Sequence, residues 1–534
     1  MMEAREQKGA LENALRGSAR VRVMGLTFDD VMRYFFGGNA SVAVVVLVLI
    51  LTFLLKEGAG FFGQNQVNLR VYRQAGLEFV DLMRVPMEDF SGLTRAVSEV
   101  RLKHFKRLNA EGKSAEAANE ALAEFDLFAS ALSGAASEPR GLVSDLTEAA
   151  SGVKTRAQVA ADMIEKRAML GRAGKDLEAK AVKVEVLDYA AETKILRDSA
   201  AGWGPAVEGM RQKLEVAILK ARAVECVKGD ADLEKVLKKV ERFQRAIGLV
   251  APRMAAWKWD EPVPFLKAVS AFLFGRDWLT ASFWQDWYGM LPLVTGSLLV
   301  AFIAMAVAVP LSIAAAIYIS EVATPLERAF IKPYIEFISA VPSVVLGFFG
   351  IAVLGTALRS LSQVEFLSWL PGFPMSERLN AMTAGLLLAF TSIPTIFSLA
   401  EDALTNVPRH FKEASFALGA TRFQTLVRVL VPASLSGIIS AVLLGFGRVV
   451  GETMVVLLCA GNRIAIPDFT EGIGSLYQPV HTMTGIIAQE MGEVAQGSIH
   501  YRALFMVGIV LFSLSLLINY IAQRVVRKYR ISIG

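Results

Sequence analysis

An arginine and a glutamate lie four residues apart within a long apolar segment, at Arg448 and Glu452. Arg448 follows Pro432 by 16 residues, or about 24 Å of helix, which places it within the roughly 30 Å hydrocarbon layer of a bilayer. In a helix, a spacing of four residues puts both side chains on one face. Charges inside a membrane are costly, and by default they face a bundle interior and mark a substrate or ion path.

Two interpretations of this pair remain open from the residues. A guanidinium presents planar paired donors that match the oxygens of a tetrahedral oxyanion, and a nearby carboxylate can accept a proton from a protonated oxyanion. The sequence therefore predicts an anion path lined by Arg448 and Glu452. In the alternative, Glu452 merely neutralises Arg448 as a structural pair.

A second pattern precedes this pair in the chain. It begins with Glu413-Ala414-Ser415, continues with Gly419 after three further residues, and ends nine residues later at Val429 to Pro432. Polar residues and flanking cations predict a helix and loop outside the membrane, joined directly to the apolar segment. The spacing by itself also fits a plain amphipathic loop helix.

The composition predicts a membrane protein with an additional polar region. Of 534 residues, 54% are hydrophobic, the mean hydropathy is +0.43, and several apolar runs reach the roughly 18 residues that a membrane helix needs. Six spans are predicted, at 34–56, 291–319, 331–354, 381–399, 433–460 and 503–521. The net charge of +5 is typical of Lys and Arg kept at cytoplasmic membrane edges. No nucleic-acid-binding motif accompanies it, so no nucleic acid partner is predicted.

The basic residues predict the topology. The segment 1–33 is polar and rich in arginine, which indicates a cytoplasmic N-terminus before the first transmembrane helix at 34–56. Six spans return the chain to the same side, where the C-terminus is also basic. We therefore expect both termini of this multi-pass protein in the cytoplasm.

The region 64–260 differs from the rest of the chain. Charged residues are dense there, proline is scarce, and apolar residues recur every three or four positions, which predicts amphipathic helices. Examples are Leu122, Phe125, Phe128, Leu233, Val236, Val240 and Phe243. Helix breaks are predicted at 137–141 and 202–205, where Gly and Pro interrupt the pattern. Because one span precedes it, this helical insert is expected on the outer side of the membrane.

The pattern from Glu413 to Pro432 resembles the EAA loop of ABC importer permeases. The run GRVVGETMVVLLCAGN, Gly447 to Asn462, is similar to the phosphate-specific permeases of that class. GETM followed by AGN resembles their C-type subunit, whereas the A-type partner more often has GETAP. Further matches are PLSIAAAIYISE, AVPSVVLGFFG and EDALTNVPRHFKEASFALGAT, at 310–321, 340–350 and 401–421.

This resemblance implies an all-α membrane protein with a six-span ABC importer permease bundle. The permease core would be 272–534, with five transmembrane helices and the EAA loop at 401–432, and the extracytoplasmic helical insert 64–260 is a departure from the family. The implied partners are a second, A-type permease, two ATPase subunits and an extracytoplasmic phosphate-binding protein, in a bacterial inner membrane. Carried over residue by residue, Glu413, Ala414 and Gly419 belong to the ATPase-coupling helix, and Arg448 and Glu452 belong to the anion path.

The predicted function is a transport subunit for inorganic phosphate. The chain has no G-x-x-x-x-G-K-[ST] run, so we expect ATP to be used by a separate ATPase subunit and no cofactor to be bound here. No His/Cys cluster predicts a metal site. Two alternatives remain: a permease for another oxyanion, such as molybdate or sulfate, and a membrane receptor with an outer helical sensing domain.

Overall fold

The computed structural model describes residues 28–223, 230–280, 285–367, 369–370 and 372–529. Most of the predicted cytoplasmic segment 1–33 therefore lies outside the described residues. The chain divides into two compact units: a membrane unit, which contains the chain up to residue 61 and residues 293–534, and an insert unit, residues 62–292.

Helices follow one another in the first half of the chain. They are α1 (Phe28–Gly58), which belongs to the membrane unit, and then α2 (Phe61–Gln74), α3 (Leu77–Ala110), α4 (Ala115–Ala121), α5 (Ala123–Ala135), α6 (Ser137–Arg172), α7 (Asp176–Ala181), α8 (Tyr189–Ser199), α9 (Trp203–Ala223), α10 (Ala231–Ile247), α11 (Val250–Ala256) and α12 (Phe265–Leu273).

The core of the insert unit is formed by the apolar positions that recur at helical spacing. The residues that predicted the amphipathic pattern are all buried: Leu122, Phe125, Phe128, Leu233, Val236, Val240 and Phe243. Side-chain caps start several of these helices, as where Ser114 accepts a hydrogen bond from the Ala117 amide and Asp230 accepts one from the Asp232 amide. The prediction of amphipathic helices is confirmed.

At the first predicted helix break, residues 137–141, a helix begins and none is interrupted. Helix α6 starts at Ser137, and Pro139 lies in its first turn, where the missing amide donor has no intrahelical partner to lose. The break predicted at 202–205 is present as a 3-10 turn, Ala200–Gly202, before α9.

The insert unit continues beyond the predicted boundary at 260. The Asn65 and Gln66 amides of α2 donate hydrogen bonds to the carbonyl oxygens of Ala268, at 3.2 Å, and Val263, at 2.7 Å. A short antiparallel pair then forms between β1 (Trp278–Leu279) and β2 (Trp287–Tyr288). The described residues between 261 and 292 therefore pack as part of the insert.

The second half of the chain is again helical. Its helices are α13 (Leu291–Ile317), α14 (Pro325–Ile338), α15 (Ser343–Phe349), α16 (Gly355–Ser362), α17 (Ala381–Thr405), α18 (Arg409–Ala417), α19 (Arg422–Thr425), α20 (Val431–Gly451), α21 (Met454–Cys459), α22 (Met483–Glu490) and α23 (Ile499–Tyr529). Three π-helical turns extend or join them, at Tyr318–Val322, Gly350–Leu354 and Leu426–Leu430. Two 3-10 segments, Glu365–Leu367 and Phe469–Tyr477, lie in the loops.

Six stretches among the described residues are long and apolar enough to cross a membrane. They are Met32–Gln74, Leu291–Val322, Ser343–Ser362, Ala381–Thr405, Arg422–Gly451 and Ile499–Val525. The predicted number of spans is confirmed, but the third was placed too early. Residues 325–338 form the separate helix α14, and Pro342 then acts as the N-cap of α15.

Helix α17 lies at the centre of the membrane unit. Small residues let its neighbours approach closely: a Cβ added to Gly445 of α20 would lie 2.4 Å from Ile396, and one added to Gly437 would lie 2.4 Å from Ala403. Close packing at small residues is the usual way in which membrane helices associate. Helices α17 and α20 therefore form a tight pair, and this pair carries Arg448.

Candidate functional site

Arg448 lies near the end of α20, on a face that the chain leaves open. Its Nη1 donates a hydrogen bond to the Thr395 hydroxyl of α17 at 3.3 Å. A Cβ added to Gly447 or Gly451, beside it, would meet no atom within 4 Å. The Arg448 side chain is exposed in the membrane unit, and among the described residues its guanidinium contacts the Thr395 hydroxyl across the α17–α20 pair. Its remaining donors can therefore bind a ligand.

The expectation that Arg448 and Glu452 share one helix face is wrong. Helix α20 ends at Gly451, and Glu452 has extended backbone angles, φ −70° and ψ 133°. The next helix, α21, begins at Met454, so the predicted span 433–460 is broken near its end. Among the described residues, the partner of the Arg448 guanidinium is Thr395 and not Glu452.

Glu452 lies between α20 and α21, and its backbone carbonyl contacts the start of α22. The hydroxyl of Thr484, in the first turn of α22, donates a hydrogen bond to the Glu452 carbonyl at 2.9 Å. The Ser297 hydroxyl of α13 accepts a hydrogen bond from the Met483 amide at 2.9 Å. Irregular backbone at membrane depth is tolerated where it is buried in protein or lines a cavity. Here it borders a cavity of about 10 Å³, which Glu452, Ser297, Thr482 and Thr484 line together with six apolar residues.

Sequence reasoning missed these three hydroxyl residues. A signal was present, because Thr482 begins a short apolar run and its side chain caps α22 by accepting a hydrogen bond from the Gly485 amide. Helix α22 is too short to span a membrane, as its sequence indicates, yet Met483, Gly485 and Ile486 are buried in the membrane unit. The site thus contains Arg448 on an open face and Glu452 at a helix interruption beside three hydroxyl residues.

Helix α18 carries the first part of the EAA pattern. Glu413 and Ala414 are exposed, whereas Ser415 is buried and its hydroxyl is hydrogen-bonded to that of Thr425, 2.9 Å away. The polar edge of α18 therefore faces outward, while Ser415 fixes the helix against the start of the next span. This arrangement leaves the face with Glu413 available to another protein.

Gly419 ends α18 in a left-handed conformation, with φ +81°. The Gly419 amide donates to the Phe416 carbonyl and the Ala420 amide donates to the Ser415 carbonyl, at 2.9 and 3.2 Å. These are the two hydrogen bonds of a Schellman C-cap, which favours glycine. A Cβ at Gly419 would meet no atom of this chain within 4 Å, so the turn and not a close approach within the chain explains the glycine.

The part of the chain that the structure describes contains no group of three or more His, Cys, Asp or Glu residues placed to hold a metal ion. A charge cluster in the insert unit is centred on Glu78. Burial opposes its ionisation, but hydrogen bonds from Arg73 and Lys267 together lower the pKa of its carboxyl to about 2. The Trp257 indole also donates to Glu78, at 3.3 Å. This cluster joins the two ends of the insert unit.

Comparison with known proteins gives a family match within the membrane unit. Residues 308–531 match the family described as "Binding-protein-dependent transport system inner membrane component". The chain is 36% identical over 242 residues to the probable ABC transporter permease protein YqgH of Bacillus subtilis (strain 168), which covers 44% of this chain and 72% of that protein.

Two further relatives are named phosphate transport system permease protein PstC. The one from Haemophilus influenzae is 31% identical over 48% of this chain and 82% of its own length. The one from Mesorhizobium japonicum is 31% identical over 52% and 83%. Among solved structures, an inward-facing form of the MetNI methionine ABC transporter covers 45% of this chain and 94% of its own, at 18% identity and a TM-score of 0.32, which is a remote likeness.

Proposed function

The chain belongs to the family of binding-protein-dependent transport system inner membrane components, and on this basis we propose that it is the membrane permease subunit of an ATP-driven importer of inorganic phosphate. The observation that carries the substrate assignment is the 31% identity to proteins named phosphate transport system permease protein. As a permease subunit, the chain is a transport component and not itself an ATPase. This family membership also favours a transporter over a receptor with an outer sensing domain.

The proposed anion path includes Arg448 and Glu452. Arg448 supports this assignment because its guanidinium is exposed on the α17–α20 pair, with donors that match phosphate oxygens in pairs. Glu452 has a different geometry from the one that its spacing predicts, and it borders the cavity with Thr482 and Thr484. We assign Arg448 to direct contact with the anion. We assign Glu452, which follows the end of α20, to the wall of the path.

The proposed ATPase-coupling surface is formed by Glu413, Ala414 and the turn at Gly419. Glu413 and Ala414 are exposed on α18, and the positive φ of Gly419 sets the direction in which the chain leaves that helix. Helix α18 is exposed and is hydrogen-bonded through Ser415 to the next span, so it can transmit a conformational change of a bound partner to that span. ATP hydrolysis would take place on that partner.

The proposed assembly contains this chain, an A-type permease, two ATPase subunits and an extracytoplasmic phosphate-binding protein. Six apolar helices make the chain a multi-pass membrane protein. We place it in a bacterial inner membrane with both termini in the cytoplasm, because an even number of spans joins two basic ends. On this topology the insert, predicted at 64–260, is an accessory domain outside the membrane.

The test is transport by the reconstituted complex. The chain is purified with its co-purifying subunits, placed in proteoliposomes with ATP inside, and supplied with labelled phosphate and the binding protein outside. We expect ATP-dependent phosphate uptake that excess sulfate or molybdate does not suppress. Suppression by one of those anions would reassign the substrate, and binding of the chain to no ATPase would overturn the transporter assignment.

A further inference from the structure

An ion pair ties the exposed helix α18 to the end of the second span. The Lys412 ammonium, directly before Glu413, lies 2.6 Å from a carboxylate oxygen of Glu321. The Glu321 side chain is 14% exposed and that of Lys412 is 31% exposed, so the contact is largely shielded from solvent. Removing one partner of a shielded pair leaves a charge without compensation, which costs much more than losing a surface pair.

Glu321 belongs to a π-helical turn, Tyr318–Val322, that follows α13. The Arg328 guanidinium donates to the Ile319 carbonyl at 2.7 Å and to the Ser320 carbonyl at 3.1 Å. It therefore supplies hydrogen-bond donors to two backbone carbonyls of the π turn. Single π turns within α-helices are uncommon and are frequent at functional sites. The turn is thus fixed by Arg328 on one side and by Lys412 on the other.

Helix α13 connects this turn to the neighbourhood of Arg448. The Ser312 hydroxyl of α13 donates to the Ile393 carbonyl of α17 at 3.2 Å, immediately before Pro394. Two residues further along α17, Thr395 accepts the hydrogen bond from Arg448. Ile319 of the π turn is buried in the same cluster as Ile396 and Phe397 of α17. The ion pair, the backbones of α13 and α17, and the hydrogen bonds of Ser312 and Thr395 therefore connect Lys412 to Arg448.

We propose that Lys412 and Glu321 form the mechanical joint that passes movement of α18 to α13, and through α13 to the Thr395–Arg448 contact. Both are positioning residues, since neither touches the anion. This inference rests on the proposed function and adds the route of coupling to it. The ion pair couples displacement of α18 to displacement of the π turn. The hydrogen bond from Ser312 to the Ile393 carbonyl then transmits it to α17 next to Pro394.

The experiment uses the reconstituted complex with ATPase and binding protein, and it measures two ratios. One is phosphate taken up per ATP hydrolysed, and the other is hydrolysis with binding protein relative to hydrolysis without it. The variants are Glu321→Lys, Lys412→Glu, the double exchange, and the conservative Lys412→Arg. Glu321→Lys is the most informative single change because Glu321 lies in the π turn after α13 and not on α18. The change therefore leaves the proposed ATPase-docking surface intact.

We expect each single reversal to lower both ratios by about tenfold, within the usual range of coupling free energies, while the ATPase still co-purifies. The double exchange and Lys412→Arg should restore both ratios. If Glu321→Lys fails to accumulate, Lys412→Gln carries the same expectation. Unchanged ratios in the single variants, or a double exchange that does not recover, would overturn the joint.

A second ion pair in the membrane unit supplies the matched control. Lys332 of α14 lies 2.8 Å from Glu401 of α17, whose side chain is 6% exposed, and neither residue belongs to α18. Lys332→Gln should lower the amount of complex but leave both ratios per complex unchanged. An equal loss of coupling in this control would show that any broken ion pair uncouples transport, and the proposed joint would be wrong. A wild-type complex that takes up no phosphate would show that the substrate assignment is wrong, whereas a wild-type complex that transports phosphate while the variants keep both ratios would overturn only the joint.

Discussion

The hydroxyl of Thr484 donates a hydrogen bond to the backbone carbonyl of Glu452 at 2.9 Å, and this bond joins two interruptions of the chain. One is the end of α20 and the other is the start of α22. A carbonyl that leaves a helix at membrane depth needs a donor, because an unsatisfied backbone group in the hydrocarbon region is costly. Thr484 supplies that donor and thereby keeps Glu452 at the border of the small cavity.

We predict that Thr484→Val lowers the stability of the complex by about 1 kcal/mol, the usual net value of one hydrogen bond. The shape of the side chain is kept, so the loss measures the two contacts of the Thr484 hydroxyl, with the Glu452 carbonyl at 2.9 Å and with the Thr482 hydroxyl at 3.3 Å. Thermal unfolding of the purified complex checks this, and phosphate uptake should fall with it. Thr484→Ser retains the hydroxyl and serves as the control. Equal stability of the Val variant and the wild type would count against a structural role for the bond.

For Arg448 we predict that replacement by Gln lowers uptake by about tenfold to a hundredfold, since a hydrogen bond to a charged group contributes roughly 1.5–3 kcal/mol. Gln keeps an uncharged hydrogen-bonding side chain at this exposed position, so the complex should assemble, but its amide ends two bonds short of the Nη1 atom that contacts Thr395. Arg448→Lys should recover part of the uptake, because a point charge lacks the planar fork. Uptake is measured in membranes with matched amounts of complex.

The control for Arg448 is its neighbour in α17. Thr395→Val removes the 3.3 Å contact but leaves the guanidinium in place, so its effect on uptake should be the milder one. Glu452→Gln should also assemble. Full transport by Arg448→Gln would reduce Arg448 to a structural residue and leave the anion path unassigned.

Local sequence patterns predicted those features that neighbouring residues determine. The apolar spacing around Leu233 and Val236 defines a helix face whatever covers it, and those residues are buried. Gly419 follows the last turn of α18 and adopts the positive φ of a helix C-cap, which depends on residues within five positions. The helical class and the six spans were predictable for the same reason.

The break at Glu452 was not predictable in this way. Apolar residues continue on both sides of it, and no proline marks it, so the hydropathy indicates one span through Ala460. The donor that satisfies the freed carbonyl is 32 residues away, and Ser297 contacts Met483 across 186 residues. Contacts at such separations decide where the helix ends, and no local pattern contains them.

At Gly419 we predict that Leu disrupts coupling, whereas Asn is tolerated. A non-glycine residue at φ +81° costs about 1–2 kcal/mol, and Asn is among the residues that adopt this region most readily. The measurement is co-purification of the ATPase, followed by uptake. If Asn failed as badly as Leu, close contact with the ATPase would explain the glycine better than the turn. Normal uptake by the Leu variant would remove Gly419 from the coupling surface.

Deletion of the insert tests whether this unit contributes to transport. The structure places the insert unit at 62–292, so a deletion ending at 260 would remove Glu78, the ion-pair partner of Lys267, and Asn65 and Gln66, which donate to the carbonyls of Ala268 and Val263. We therefore delete 62–290 and bridge the ends with Gly and Ser. If the insert contacts the binding protein or the partner permease, uptake and affinity for the binding protein should fall. Unchanged values of both would leave a passive spacer.

The last prediction concerns acid stability of the insert. Glu78 has its pKa lowered from 4.5 to about 2 by hydrogen bonds from Arg73 and Lys267, against the opposing effect of burial. A carboxyl whose pKa is lower in the folded state stabilises that state above the unfolded pKa, and this stabilisation disappears as the pH falls through the folded pKa. The contribution of Glu78 is therefore complete above about pH 5 and is lost progressively between about pH 4.5 and 2.

At neutral pH, Glu78→Gln should cost about 2–3 kcal/mol of unfolding free energy, since each pKa unit corresponds to about 1.4 kcal/mol and partial solvent exposure reduces the sum. Thermal unfolding of the full-length protein, followed across this pH range, should show the wild type and the variant converging as the pH falls. Glu111→Gln provides the control, because the Arg107–Glu111 pair is exposed, with side chains 70% and 49% accessible. A pH-independent difference between Glu78→Gln and the wild type would mean that Glu78 acts through packing and not through its charge.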